Sequence, residues 1–144
     1  GGAPTTATAE RLSPMSQTAA LFILLAGLNG LMAVLAGAWA SHGFVIPLAD
    51  GGGALAETGS RYQMWHALAL LGVGIAYDRV RTALVLWRLP GIAFITGIAG
   101  FSGGLYASAG GAPVSGVAPA GGAALMAGWL LLALAGGLEL FSRR

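Results

Sequence analysis

Long apolar runs constrain this chain more than any other feature. TAALFILLAGLNGLMAVLAGAWA (18–40), GIAFITGIAGFSGGLYASAG (91–110) and AGGAALMAGWLLLALAGGLELF (120–141) are nearly free of charge. A helix rises about 1.5 Å per residue, so about 20 apolar residues cross a bilayer core. Each of these runs is long enough unaided. A fourth, MWHALALLGVGIAY (64–77), reaches that length only if it is extended back to about residue 60. The runs are continuous rather than alternating, which favours helices over membrane strands. The predicted fold is therefore all-α, an integral membrane four-helix bundle with spans at about 18–40, 60–77, 91–110 and 120–141.

Composition agrees. Only 8% of the 144 residues are charged, against roughly a quarter in a soluble domain. Mean hydropathy is +0.79. So few charges cannot coat a water-facing globule, so most of the surface is expected to face lipid. The net charge is +2, and its arginines are scattered near helix ends, which argues against nucleic-acid binding. The chain has no cysteine, which removes disulfide and thiolate chemistry.

Residues 17–144 read as one four-span domain. Residues 1–16 are small and polar, and are expected to be a flexible N-terminal extension or an expression scar, with Met15 a natural start. Three connections remain. Residues 41–60 are predicted as a long Gly-rich loop. Residues 78–90 are a charged connection with an apolar patch lying along the interface. Residues 111–119 are a short loop with two prolines. Four spans put Arg11, Arg79, Arg81, Arg88, Arg143 and Arg144 on one side and Arg61 on the other. The positive-inside rule then predicts an inner-membrane protein with both termini in the cytoplasm.

Apolar burial gives helices in lipid little reason to associate, whereas small residues let backbones approach. Gly30 and Gly37 lie on one side of the first span with Ala26 and Ala33. Gly100 and Gly104 form a GxxxG in the third. Gly121, Gly122 and Gly128 lie in the fourth, where Ala120, Ala124 and Gly128 repeat the spacing. These are the expected packing positions, within one bundle or at a homo-oligomer seam.

Polar residues collect near the outer interface. Tyr62 and His66 are four apart, as are Ser102 and Tyr106, so each pair shares a helix face. His42, Arg61, Tyr62, Gln63, His66, Ser102 and Tyr106 are predicted to reach one layer. Such a layer fixes the register of a bundle by hydrogen bonds, or forms a ligand or proton site, because intramembrane ionisable residues are functional candidates. Asn29, in mid-span, is expected to bond to another helix, with Thr96 as its partner. Two histidines fall short of the three or four ligands of a metal site, and no cofactor is expected. Ser102 with His66 lacks the acid that an acyl-transfer set needs.

The same residues carry a family resemblance. GAWASHG (37–43) resembles a GAfgaHG motif, and RYQMWHALALLGVG (61–74) a YQxxHALALL motif. FSGGLYASA (101–109) resembles FSGSLYxLA, and APAGGAALMAGWLLLA (118–133) resembles TPxGGxxFxxGWxxLA. The four occur in order, one per span. Together they resemble the domain-of-unknown-function family numbered 423, small bacterial inner-membrane proteins related to eukaryotic transmembrane protein 256. The resemblance covers about residues 17–135. It implies four spans and no established activity, and it marks Gly37, His42, Gly43, Tyr62, Gln63, His66, Ser102, Gly103, Tyr106, Pro119, Gly121, Gly122 and Trp129. Ala118 departs from the usual Thr, and Ala124 stands where Phe is common, leaving room for a ligand or a closer helix contact. The function expected is that of a small structural or accessory membrane protein, with the lipid bilayer and a larger membrane complex or a second copy as partners. The alternative is small-molecule or lipid binding or transport at the polar layer.

Overall fold

The computed structural model describes residues 14–43 and 46–142, so residues 1–13 of the expected extension, with Arg11, and also Arg143 and Arg144 lie outside the described residues. Four long helices follow one another: α1 (Gln17–His42), α2 (Gly52–Arg79), α3 (Leu84–Ala109) and α4 (Val117–Ser142). Each helix boundary has a local cause. Ser16 caps α1 by accepting from the Ala19 amide, and Gly43 ends it at φ 60, in the left-handed region that glycine enters without a Cβ clash. Gly51 (φ 74) and Gly116 (φ 81) turn the chain into α2 and α4. Ala83 enters α3 at φ 54, an uncommon conformation for a residue with a side chain.

Two sequence expectations fail here. The loop predicted over 41–60 is shorter, because α2 begins at Gly52. ALAETGSRYQ is composed mainly of residues that a helix tolerates well, and the three glycines before it concentrate the turn at Gly51. Residues 84–90 are the first two turns of α3 rather than an interfacial patch, and Pro90 lies inside the helix and is fully buried. Proline lacks the N–H that a helix interior uses and ordinarily breaks or kinks a helix. Inside a membrane bundle, neighbouring helices and local adjustments re-satisfy the freed carbonyl, so the helix runs through.

Short connections make neighbouring helices antiparallel. α1 packs mainly on α2, α2 on α3 and α3 on α4. One register holds along the α1–α2 pair: Ser16 faces Asp78, Ala19 faces Gly74, Ala33 faces Ser60, and Ala40 faces Gly53. Along α3–α4 the facing pairs are Phe94 with Gly128, Gly97 with Leu125, Gly100 with Gly121, and Gly104 with Ala118. α1, α3 and α4 are each long and apolar enough to cross a membrane. α2 is more polar in its first half, but it has 28 residues and lies in register between α1 and α3. It runs the length of its neighbours, with Gln63 and His66 turned toward protein and Glu57 and Arg61 exposed.

Rings seated on glycines build the core. A Cβ on Gly128 would stand 2.6 Å from the Phe94 ring, and one on Gly59 would stand 2.6 Å from the Tyr106 ring. Phe22 covers Gly91 in the same way. Phe94 is wholly buried in a cluster with Phe22, Leu70, Val73, Ile98 and Leu125. Trp87 and Tyr77 anchor a smaller cluster toward the end where α1 begins. The outward faces are apolar: Leu24, Leu28, Leu31 and Leu35 on α1, and Met126, Leu130, Leu134 and Leu138 on α4, are all exposed. That surface suits a lipid solvent.

Among the predicted packing positions, Gly100, Gly104, Gly121 and Gly128 stand at backbone or ring contacts, and Gly37 lies under Ser60 Oγ. Gly122 makes ordinary contact with the Phe101 ring. Gly30 does not pack: a Cβ there would meet nothing within 4 Å, because the α1–α2 contact runs through Ala26 and Ala33 instead. Gly128→Ala is expected to cost about 1–3 kcal/mol by overpacking against Phe94. Gly27→Ala, at an open position, should stay within ~0.5 kcal/mol of the parent. Reversible unfolding of both variants in mixed micelles measures the difference.

Candidate functional site

The register of α1 on α2 places Asn29 opposite Gln63, and a hydrogen-bond chain crosses three helices there. The Tyr106 hydroxyl of α3 donates to Gln63 Oε1 at 2.7 Å. Gln63 Nε2 donates to Asn29 Oδ1 at 3.0 Å. Asn29 Nδ2 donates to the Leu25 carbonyl of its own helix at 2.9 Å. All the donors point one way along the chain, the arrangement in which hydrogen bonds polarise one another. Two hydroxyls flank it: Ser102 donates to the Gly59 carbonyl at 2.8 Å, and Ser60 to the Ala33 carbonyl at 2.7 Å. Gln63 and Ser102 are buried to within 2% and 1% of full exclusion.

His66 joins α2 to α4. Its Nε2 lies 3.0 Å from Trp129 Nε1, and its Nδ1 lies 2.7 Å from the Tyr62 carbonyl. An indole nitrogen can only donate, so Nε2 accepts. Nδ1 then carries the proton and gives it to Tyr62, and the imidazole in this arrangement is neutral. The His66 ring stands 5.6 Å from the Phe94 ring and stacks on Tyr62 at 6.0 Å.

Beside His66 a groove of about 480 Å³ opens between α2 and α4. Tyr62, Trp65, His66, Gly122, Met126 and Trp129 line it, and nearly all of that lining is apolar. Gly122 contributes backbone alone to its wall. A second, shallower depression of about 470 Å³ lies between α3 and α4 over Thr96, Gly100, Ala120 and Ala124. It does not come from a missing Phe at Ala124: the family pattern sets its Phe at Leu125, whose side chain packs over Gly97.

Five of the seven residues predicted for the polar layer, Tyr62, Gln63, His66, Ser102 and Tyr106, lie together in the bundle. The other two do not. Arg61 is exposed and pairs with Glu57 of its own helix at 2.7 Å. Its place in the helical repeat turns it away from the face that carries Gln63 and His66. His42 ends α1 and is exposed, beyond the layer. The partner expected for Asn29 also changes. Thr96 is exposed and donates back to the Ile92 and Ala93 carbonyls of its own helix. Sequence reasoning left three contributors unassigned: Ser60, Gly59 and Trp129 as a hydrogen-bond donor. A readable signal existed for one. An amide in mid-span needs a partner of equal depth on the next helix, and counting back along an antiparallel α2 reaches Gln63.

Chemically, the layer is closed. Among the described residues every buried side-chain nitrogen and oxygen has a partner, and no three of His, Asp and Glu gather. Ser102 gives its proton to a backbone carbonyl, so it is not poised on His66 as a nucleophile. Gln63→Leu should strand both the Tyr106 hydroxyl and the Asn29 amide, at about 1–3 kcal/mol for each group left unpaired. Trp129→Phe removes one interhelical bond and should cost less, about 0.6–1.7 kcal/mol. Unfolding in mixed micelles orders the two, and equal stabilities would contradict the network.

Comparison with known proteins agrees with this architecture. Residues 36–122 match the family model described as Protein of unknown function (DUF423). The match contains Gly37 through the start of α4, and so all of the hydrogen-bonded layer except Leu25, Asn29, Ala33 and Trp129. A UPF0382 membrane protein of Staphylococcus aureus is 38% identical over 86 residues, 60% of this chain and 68% of the relative. A UPF0382 membrane protein of Staphylococcus epidermidis is 37% identical over 86 residues, with the same shares. One from Staphylococcus saprophyticus is 37% identical over 91 residues, 62% of this chain and 72% of its own. No solved structure matches the chain. With its motifs in order and its family match spanning the end of α1, all of α2 and α3 and the start of α4, this chain belongs to the DUF423 family of membrane proteins.

Proposed function

We propose that this chain is a structural or accessory protein of the bacterial inner membrane, acting through its outward faces rather than through a reaction. The observation that carries this reading is the closure of the polar layer. Gln63, Asn29, Tyr106, Ser102 and His66 spend their hydrogen bonds on one another and on backbone carbonyls. Groups so engaged hold helices in register and leave nothing aimed at a substrate. The leucine-rich faces of α1 and α4 are then the surfaces left to meet lipid or a larger membrane complex. Native mass spectrometry of the protein released gently from its own membranes is expected to show the 14.3 kDa chain with lipid or a larger complex attached. A bare chain overturns the accessory reading.

The groove beside His66 favours a second reading, in which the chain holds a small apolar molecule. Its aromatic walls and about 480 Å³ suit a ligand of a few hundred daltons. Filling the groove with Met126→Trp should then remove that added mass while the bundle stays folded. If His66→Ala unfolds the bundle, the histidine belongs to the structure. If it only empties the groove, the histidine belongs to the ligand.

The arginine distribution supports cytoplasmic termini. The absence of cysteine makes the test direct. Ser115→Cys, in the loop before α4, should react with an impermeant maleimide applied to spheroplasts. Ser142→Cys, at the end of α4, should react only after lysis. The opposite pattern reverses the orientation.

A further inference from the structure

The end of the bundle where α2 passes into α3 carries three exposed arginines, Arg79, Arg81 and Arg88. Among the described residues none of them makes an ion pair, the one salt bridge being that of Arg61 with Glu57. The nearest acid in sequence, Asp78, accepts from the Ser16 amide and so ties the start of α1 to the end of α2. Arg88 is already held in place. Its Nε donates to the Tyr77 hydroxyl at 2.9 Å, and its guanidinium carbon stands 5.6 Å from the centre of the Tyr77 ring. Tyr77 is buried, so this anchor is fixed to the core. Among the described residues the two terminal nitrogens of the guanidinium make no hydrogen bond, which leaves a fork that fits a phosphate.

Depth identifies the occupant. α3 has 26 residues, a length of roughly 39 Å, against about 30 Å of hydrocarbon. The helix is therefore longer than the hydrocarbon is thick, and Arg88, in its second turn, can reach the headgroup region along its own side chain. Below Arg88, Leu89 and Ile92 are exposed along α3, where acyl chains would lie. We propose that Arg79, Arg81 and Arg88 form a binding site for the phosphodiester of an anionic phospholipid, with Arg88 as its preorganised centre. The basic cluster supplies the attraction for net negative charge. The Tyr77 contact supplies a guanidinium that needs little ordering on binding. Exposed leucine and isoleucine beneath it separate this occupant from free phosphate, which has no chains to place there.

The test is native mass spectrometry of the full chain in detergent, titrated with phosphatidylglycerol or phosphatidylcholine of equal acyl length. Phosphatidylglycerol is expected to be retained preferentially, and the preference should shrink as salt is raised. Arg88→Gln should lower its retention about fivefold, and Arg79→Gln with Arg81→Gln by a comparable or larger factor, with phosphatidylcholine unchanged. Arg61→Gln, on the exposed Glu57 pair, should leave both lipids as they were. Equal retention of the two lipids by the parent protein overturns the proposal without reference to any variant. So does an arginine-independent preference, or displacement of phosphatidylglycerol by millimolar inorganic phosphate.

Discussion

Everything in this bundle depends on how closely its helices can approach. In lipid, a leucine gains nothing by leaving the acyl chains for another helix, so cohesion must come from contacts that lipid cannot imitate. Here those contacts are of two kinds. One is a ring set against a glycine, as with Phe94 on Gly128 and Tyr106 on Gly59. The other is backbone against backbone, as where Gly100 meets Gly121 and Gly104 meets the Ala118 amide. Both require that a Cβ be missing at a particular turn. They recur along α3–α4 at nearly one contact per turn, which is what an antiparallel pair in constant register produces.

Close approach also makes the polar layer work. The Tyr106 hydroxyl reaches Gln63 because its ring rests on Gly59, one turn before Gln63 on the same helix. Ser102 reaches the Gly59 carbonyl for the same reason. Glycine packing and hydrogen bonding are therefore one arrangement, in which small residues set the distance and amides and hydroxyls set the register. α2 occupies the middle of that arrangement. It carries more polar residues than any other helix here, and it tolerates them because α1 and α3 cover its sides while His66 ties it to α4.

The two ends of the molecule differ in chemistry. At the end where α2 begins, the charged pair Arg61 and Glu57 is self-contained. At the end where α2 meets α3, the arginines are unpaired among the described residues, and one is braced against a buried tyrosine. By the positive-inside rule an asymmetry of this kind biases orientation, and the arginines that carry it are those proposed to hold lipid headgroups.

Much was legible from the chain alone. The fold class follows from run length and charge scarcity, because only helices and closed barrels satisfy every backbone group across a bilayer, and continuous apolar runs select the helix. Tyr62, Gln63, His66, Ser102 and Tyr106 were readable as one layer from their common depth. Depth, however, is a one-dimensional measure. It could not turn Arg61 outward, which depends on the helical phase of α2 against its neighbours. Nor could it separate Thr96 from Gln63 as the partner of Asn29, since both are polar and the choice depends on which helices touch. The α2 start at Gly52 was masked by the glycine run that precedes helix-tolerant residues, and the run of α3 through Pro90 depends on packing that overrides local propensity. Composition and spacing determined that this chain is a helical membrane protein with a polar layer. Only the tertiary structure decided which side chains share a hydrogen bond, because that requires the register and rotation of four helices together.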